Sequence, residues 1–247
     1  MPRLTRELPR SAAAVPILMF HVIAAPFARS PFPGLYVSPS EFAAQMDALA
    51  AAGFHAVTLN RMRDAWLGHA RLPSHPIVIT FDNGYRSQFT AALPVLRRLG
   101  WVGVENLQLA GLPPTQGGLT TREIRTLLTD GWELDTQGYD HADLTALDPR
   151  QLRFQIARTR SVLRRRYGVP VDWFCYPSGD YDLKVVEAVQ AAGFVGSTTV
   201  VPGWARPEDV PYLLPRLRVL GGTTPTALLA QIAGARSAPL PPVSYRG

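Results

Sequence analysis

Short apolar runs alternate along this chain with stretches whose apolar residues fall at helical spacing. Val15–Phe20 reads as a first strand. Pro39–Gly53 follows as a helix: Ser38 can cap it, Phe42, Met46 and Leu49 share one face, and Gly53 can stop it. Ala56–Leu59 reads as a brief strand and Arg61–Leu67 as a short helix. Pro76–Phe81 is a continuous apolar run rich in β-branched residues, as expected of a strand covered on both faces. The alternation then predicts a helix over Ser87–Leu99, a strand over Gly103–Leu109 and a helix over Thr121–Asp130. Thr120 and Glu123 stand at the spacing of a capping box for that helix. Further strands are expected at Trp132–Thr136, Trp173–Tyr176, Gly196–Val200 and Leu217–Leu220, and further helices at Pro149–Tyr167, Leu183–Ala192 and Pro225–Ile232.

Repeated β-α units over this length predict an α/β fold with a parallel sheet, either a barrel or a doubly wound sheet. In both, chemistry gathers at the C-terminal ends of strands. Four strand ends carry polar groups: His21, the run Asp82-Asn83-Gly84-Tyr85, the run Asp135-Thr136-Gln137 with His141 close behind, and Tyr176-Pro177-Ser178-Gly179-Asp180. These are expected on one rim. By themselves, Asp82-Asn83-Gly84 also suit a plain strand-ending turn. The pattern assigns residues 1–14 to an N-terminal arm, 15–236 to one domain and 237–247 to a proline-rich tail.

Composition narrows the picture. At 247 residues, with 47% hydrophobic and 18% charged, the chain can bury a sizeable core, which argues against global disorder. No run approaches the ~18 apolar residues of a membrane span. The run Ala12–Phe20 contains Pro16 and leads straight into His21, so it reads as a strand and not as a signal peptide. The expectation is a cytoplasmic protein or one whose leader has been removed. The net charge of +6 is spread along the chain, and Arg164-Arg165-Arg166 is the only tight cluster. With no concentrated basic patch, nucleic acid is not an expected partner. Cys175 is the only cysteine, so there is no internal disulfide.

Five blocks, in order, resemble the NodB-type polysaccharide deacetylases of carbohydrate esterase family 4. Thr80-Phe81-Asp82-Asn83-Gly84-Tyr85 resembles the TFDDGY signature. Pro16–His21 resembles a PVLMYH opening, and Trp132–Leu144 resembles EIGSHTxTHPDL. Phe174–Tyr181 resembles FAYPYGxY, and Leu214–Val219 resembles LPRIRV. The resemblance covers residues 15–232. It implies a distorted, seven-stranded (β/α) barrel and hydrolysis of an acetamido group on an N-acetylated sugar polymer or oligomer.

Carried over position by position, the resemblance makes Asp82 the general base and gives Tyr176 a part in the oxyanion pocket. Tyr85, Pro177 and Gly179 become substrate contacts. The metal ligands of the pattern fall on Asn83, Gln137 and His141, and only His141 keeps the family residue. Amide oxygens are neutral, weak donors to a zinc-like divalent cation. The expectation is therefore a weak or absent metal, with Asp135 and His21 as candidate substitute ligands. The arginine that orients the base in RxPxG is replaced by Cys175, and the late general-acid histidine falls near Leu220. Three functions remain open: a deacetylase-type hydrolase with an altered or absent metal, a catalytically silent glycan-binding protein of the same fold, and, within the enzyme reading, a metal-independent amide hydrolase acting on a small nitrogen compound.

Overall fold

The computed structural model describes residues 13–30, 32–110, 112 and 117–246. The expected N-terminal arm lies outside the described residues except for its last two. In chain order the elements are β1 (Val15–Phe20), α1 (Pro39–Ala51), β2 (His55–Ala56), α2 (Leu59–Trp66), β3 (Pro76–Asn83), α3 (Leu93–Arg98), β4 (Val104–Leu107), α4 (Thr121–Thr129) and β5 (Glu133–Thr136). There follow α5 (Pro149–Arg153), α6 (Thr159–Tyr167), β6 (Trp173–Cys175), α7 (Leu183–Ala191), β7 (Gly196–Thr198), β8 (Trp204–Ala205), β9 (Leu217–Arg218) and α8 (Pro225–Gly234). Seven strands run parallel in the order β7-β6-β5-β4-β3-β1-β9. This is the expected (β/α) barrel. The short β2 flanks the start of β3, and β8 pairs antiparallel with the start of β1.

Sequence and structure differ in detail. The expected Ala56–Leu59 strand shrinks to two residues, because the Thr58 side chain accepts from Arg61 N–H and starts α2 early. The two long helices Ser87–Leu99 and Pro149–Tyr167 each contain a π-turn, at Gln88–Ala92 and Phe154–Arg158. The anticipated capping box of α4 forms between Thr120 and Glu123. The proline-rich tail folds back: Tyr245 pairs antiparallel with Tyr181, and Tyr181 Oη donates to Pro242 O at 2.8 Å.

Two features of this fold place the site. First, side chains alternate between the barrel interior and the surrounding helices. Ile17 and Val78, Met19 and Thr80 are register partners. So are Asp82 and Asn106, and Asn106 and Asp135. Toward the N-terminal ends of the strands the buried interior is apolar, with Ile17, Val78, Val104 and Trp173 clustered with Met62 and Trp66 of α2. Toward the C-terminal ends it turns polar. Second, the barrel closes through the segment 214–219. Leu214 N–H donates to Ser197 O at 3.0 Å, Arg216 N–H to Val201 O at 3.0 Å and Val219 N–H to Met19 O at 3.0 Å. This seam joins the β7 side to β1.

Close packing at the β6–β7 pair gives a stability test. A Cβ on Gly196 would lie 2.3 Å from Trp173 Cζ3 and 2.5 Å from the Pro211 carbonyl oxygen. Gly196→Ala is expected to cost about 2 kcal/mol and lower the thermal midpoint by roughly 4–8 °C. Gly234→Ala, in helical backbone with open space around the new methyl, is expected to leave the midpoint unchanged or raise it by about 2 °C. Calorimetric scans of both variants check the packing.

Candidate active site

The floor of the site is built around Asp82, which ends the buried run of β3 and is 1% exposed. Arg216 reaches it from the barrel seam with two parallel hydrogen bonds. Nη1 donates to Oδ1 at 2.8 Å and Nη2 to Oδ2 at 2.9 Å. Arg216 is itself 0% exposed, and it also donates to Thr199 O at 2.8 Å and Thr80 Oγ1 at 3.0 Å. Asn106 of β4 adds a 2.8 Å bond to Asp82 Oδ1, and Cys175 Sγ lies 3.5 Å from Oδ2. Burial pushes the Asp82 carboxyl upward in pKa, but the Arg216 charge and hydrogen bonds outweigh it and hold the group at about 2. Burial with the Asp82 charge beside it raises the Cys175 thiol, so it stays protonated and is no nucleophile.

Above this floor opens a cleft of about 650 Å³. His21 lines it at the end of β1, with Nε2 at 4.0 Å from Asp82 Oδ2. Burial pushes His21 down to about 4, against a partial opposing pull from Asp82, so its imidazole is neutral at neutral pH. Gln88 ties the two strand ends together by donating to both His21 O and Asp82 O. Asn83, at φ 79°, and His141, at φ 62°, take left-handed backbone conformations that turn the chain at the rim. Asn83 Nδ2 donates to Gln108 Oε1 at 2.9 Å, and Gln137 Nε2 lies 3.4 Å from His141 Nε2. Gln155 braces the 139–141 loop by accepting from Tyr139 N–H and donating to Asp140.

The structure gathers Asp82, Asn83, Gln137, His141, His21, Tyr85 and Gly179 around the cleft. Other expected residues lie elsewhere. Tyr176 is fully buried away from the cleft lining. Its Oη donates to Tyr212 O, its ring packs on Phe174 and Tyr181, and its N–H is bonded to Thr198 O at 3.3 Å, so neither ring nor amide is offered to a substrate. Pro177 is buried in the turn that presents Ser178 and Gly179. Asp135 lies two strands from Asp82. It accepts from Trp173 N–H at 2.8 Å, and burial beside Glu133 raises its pKa well above the carboxylate range. It is no substitute metal ligand. Leu220 is 42% exposed and outside the cleft lining, and the imidazole nearest Asp82 is that of His21 instead.

Arg216 is the residue that sequence reasoning missed. Its signal was present: Arg216 and Arg218 alternate with Leu217 and Val219, so both arginines share one face, which the structure turns toward the cleft with Arg216 buried and Arg218 on the lining. Cys175 vacates the position that the resemblance gives to an arginine, and Arg216 supplies a guanidinium from the closing segment just before β9.

The divalent metal implied by the resemblance does not fit these residues. Among the described residues no group of three His, Cys, Asp or Glu side chains is placed to hold a metal ion. Both Asp82 oxygens already accept from Arg216, and Asn83 and Gln137 are neutral.

Comparison with known proteins bears on this geometry. A family model described as polysaccharide deacetylase matches residues 69–197, just over half of the chain. YxkH of Bacillus subtilis (strain 168) is 27% identical over 221 residues, covering 89% of this chain and 76% of that protein. A poly-beta-1,6-N-acetyl-D-glucosamine N-deacetylase of Escherichia coli (strain K12) is 36% identical over 52 residues, or 21% of this chain and 8% of that protein. The Streptococcus pyogenes deacetylase PplD, solved in complex with acetate, shares the fold at a TM-score of 0.79 and 21% identity, covering 90% of this chain and 99% of that one. With the signature block, the barrel and the cleft in agreement, the chain belongs to the polysaccharide deacetylase family.

Proposed function

We propose that the cleft takes an N-acetylated glycan and hydrolyses an acetamido group without a conventional metal centre. The observation that carries this reading is the Asp82–His21 pair on the cleft floor: a carboxylate held ionised, 4.0 Å from an imidazole held neutral. Such a pair can move a proton. Water attacks the acetamido carbonyl carbon and gives its proton to His21, the stronger base of the two, while Asp82 stabilises the imidazolium. The C–N bond then breaks, the proton passes to the leaving amine, and acetate departs. This keeps Asp82 essential, as expected from its motif position, but gives it an electrostatic part. The family's reaction class and the relative named for N-acetylglucosamine polymer support the substrate class.

A second reading, binding without catalysis, is favoured by the lack of any three-ligand metal group among the described residues. Acetate release from β-1,4- and β-1,6-linked N-acetylglucosamine trisaccharides, with excess EDTA present, separates the two. Release is expected from the native protein. Binding with no release in either metal-free or zinc-supplemented buffer selects the silent binder.

Two variants sharpen the test. Asp82→Asn alone leaves Arg216 buried and unpaired, and is expected to cost about 3–5 kcal/mol of stability. Combining it with Arg216→Met is expected to recover most of that loss while acetate release stays at least about two orders of magnitude below native. A stable double variant with native activity overturns the role of Asp82.

The pH dependence has a defined sign. His21 acts as a base only when unprotonated, so the rate is expected to fall as pH drops through about 4 and to be level from there to neutrality. Asp82, at about 2, stays charged through that window. His21→Gln is expected to slow the reaction and abolish the acid limb. An unchanged limb in that variant assigns the titration to another group.

A further inference from the structure

The wall of the cleft on the β1–β9 side carries groups that the proposed reaction does not use. Arg218 pairs in register with Met19 of β1, and both line the cleft. Its backbone is held on both sides: Gln231 Nε2 donates to Arg218 O at 3.0 Å, and Val219 N–H donates to Met19 O. Arg218 is the one Arg or Lys among the described residues that line the cleft, and no described carboxylate forms an ion pair with it. The two carboxylates of the lining are already engaged, Asp82 by Arg216 and Asp140 by Gln155. With the floor balanced, the wall keeps an unopposed positive charge, near enough to be felt at His21.

An aromatic ring stands on the same wall. Gly221 N–H donates to Gly34 O at 2.9 Å and Val22 N–H to Leu35 O at 3.3 Å, so the loop after β1 is tied to the segment after β9. A Cβ at Gly221 would lie 2.2 Å from Tyr36 O, so the two segments meet at a distance that only glycine allows. On that loop Phe32 lines the cleft, 76% exposed and at φ 51°. A left-handed backbone at a bulky residue is strained, and a ring so exposed adds little to the core. An apolar ring beside an unpaired guanidinium is a surface that fits an acidic sugar. The C–H face of the pyranose lies on the ring while its carboxylate takes two N–H bonds from the arginine.

We propose that this wall is a subsite for a carboxylate-bearing sugar next to the N-acetylated one: Phe32 packs against its ring and Arg218 pairs with its carboxylate. The substrate class is then an acidic N-acetylated glycan, in which a uronate or a lactyl ether supplies the carboxylate. The subsite rests on the glycan-binding part of the proposed function, and holds whether or not hydrolysis follows. It uses no metal and none of the strand-end residues of the signature blocks.

Calorimetric titration of the full chain tests it with two acidic probes, each compared with its own carboxamide. One is the disaccharide of N-acetylglucosamine linked to N-acetylmuramic acid, the other a tetrasaccharide of alternating N-acetylglucosamine and glucuronic acid. Acetate release is monitored in parallel so that turnover is subtracted. In roughly 25 mM salt the native protein is expected to bind at least one acid about tenfold more tightly than its carboxamide, the scale of a charge-assisted contact. The acid that shows the preference identifies the source of the carboxylate. In about 0.5 M salt the preference is expected to shrink to about threefold or less by screening. Arg218→Gln is expected to bring acid and amide within about twofold of each other, and Arg218→Lys to keep part of the preference, as a point charge without the fork. Phe32→Ala is expected to weaken acid and amide alike by about fivefold, leaving their ratio as in the native protein. Both side chains are exposed, and unchanged thermal midpoints exclude misfolding; the native acid-to-amide ratio stands as a test without any variant. A native protein that binds acid and amide alike at low salt, or an Arg218→Gln variant that keeps the preference, overturns the acidic subsite, and amides that still bind leave the glycan reading intact. Failure of every probe, acidic and neutral, to bind overturns both.

Discussion

Asp82 and Arg216 meet where neither can be solvated. Taking a carboxylate and a guanidinium out of water costs several kcal/mol per ion, and the cost is offset only when each charge finds the other in good geometry with its remaining hydrogen bonds filled. Here the two-bond fork, the Asn106 amide and the Thr80 and Thr199 oxygens supply that. Because Arg216 comes from the segment that joins the β7 side of the barrel to β1, the pair also couples site and fold. The contact that keeps Asp82 ionised draws the barrel's closing segment inward. A barrel left open at this seam would leave Asp82 uncompensated, and a neutral residue at position 82 would leave the seam with a stranded cation.

The elements legible in the sequence were those whose signals are local. Strand-length apolar runs such as Val15–Phe20 and Ile77–Phe81, and caps such as Ser38 and Thr120, declare themselves within a few residues, and the structure follows them. The rim positions of Asp82, Asn83, Gln137 and His141 were legible because strand ends in a parallel barrel share one face. What escaped depends on contacts far apart in the chain. Arg216 lies 134 positions from Asp82, so no local pattern joins them. Tyr176 misled for a related reason. Its place in a motif block gives its position along the chain, but side-chain alternation at the end of β6 turns Cys175 toward Asp82 and Tyr176 toward the outer core. Asp135 shares a face and a register level with Asn106, yet the Trp173 amide and Glu133 claim its carboxyl.

Charge balance at the centre explains why the two amide substitutions belong together. Arg216 already neutralises Asp82, so the floor carries no net charge. The other buried carboxyls nearby do not add to it. Burial, reinforced by the Asp82 charge, raises Glu105 well above the usual range, and burial beside Glu133 does the same for Asp135. A dication placed above such a floor needs an anion of its own, which an aspartate at position 83 would provide and Asn83 does not. Restoring that aspartate alone would leave a buried carboxylate facing Asp82 with no cation to separate them. Keeping Asn83 and Gln137 neutral is the arrangement in which floor and rim are each balanced without a metal.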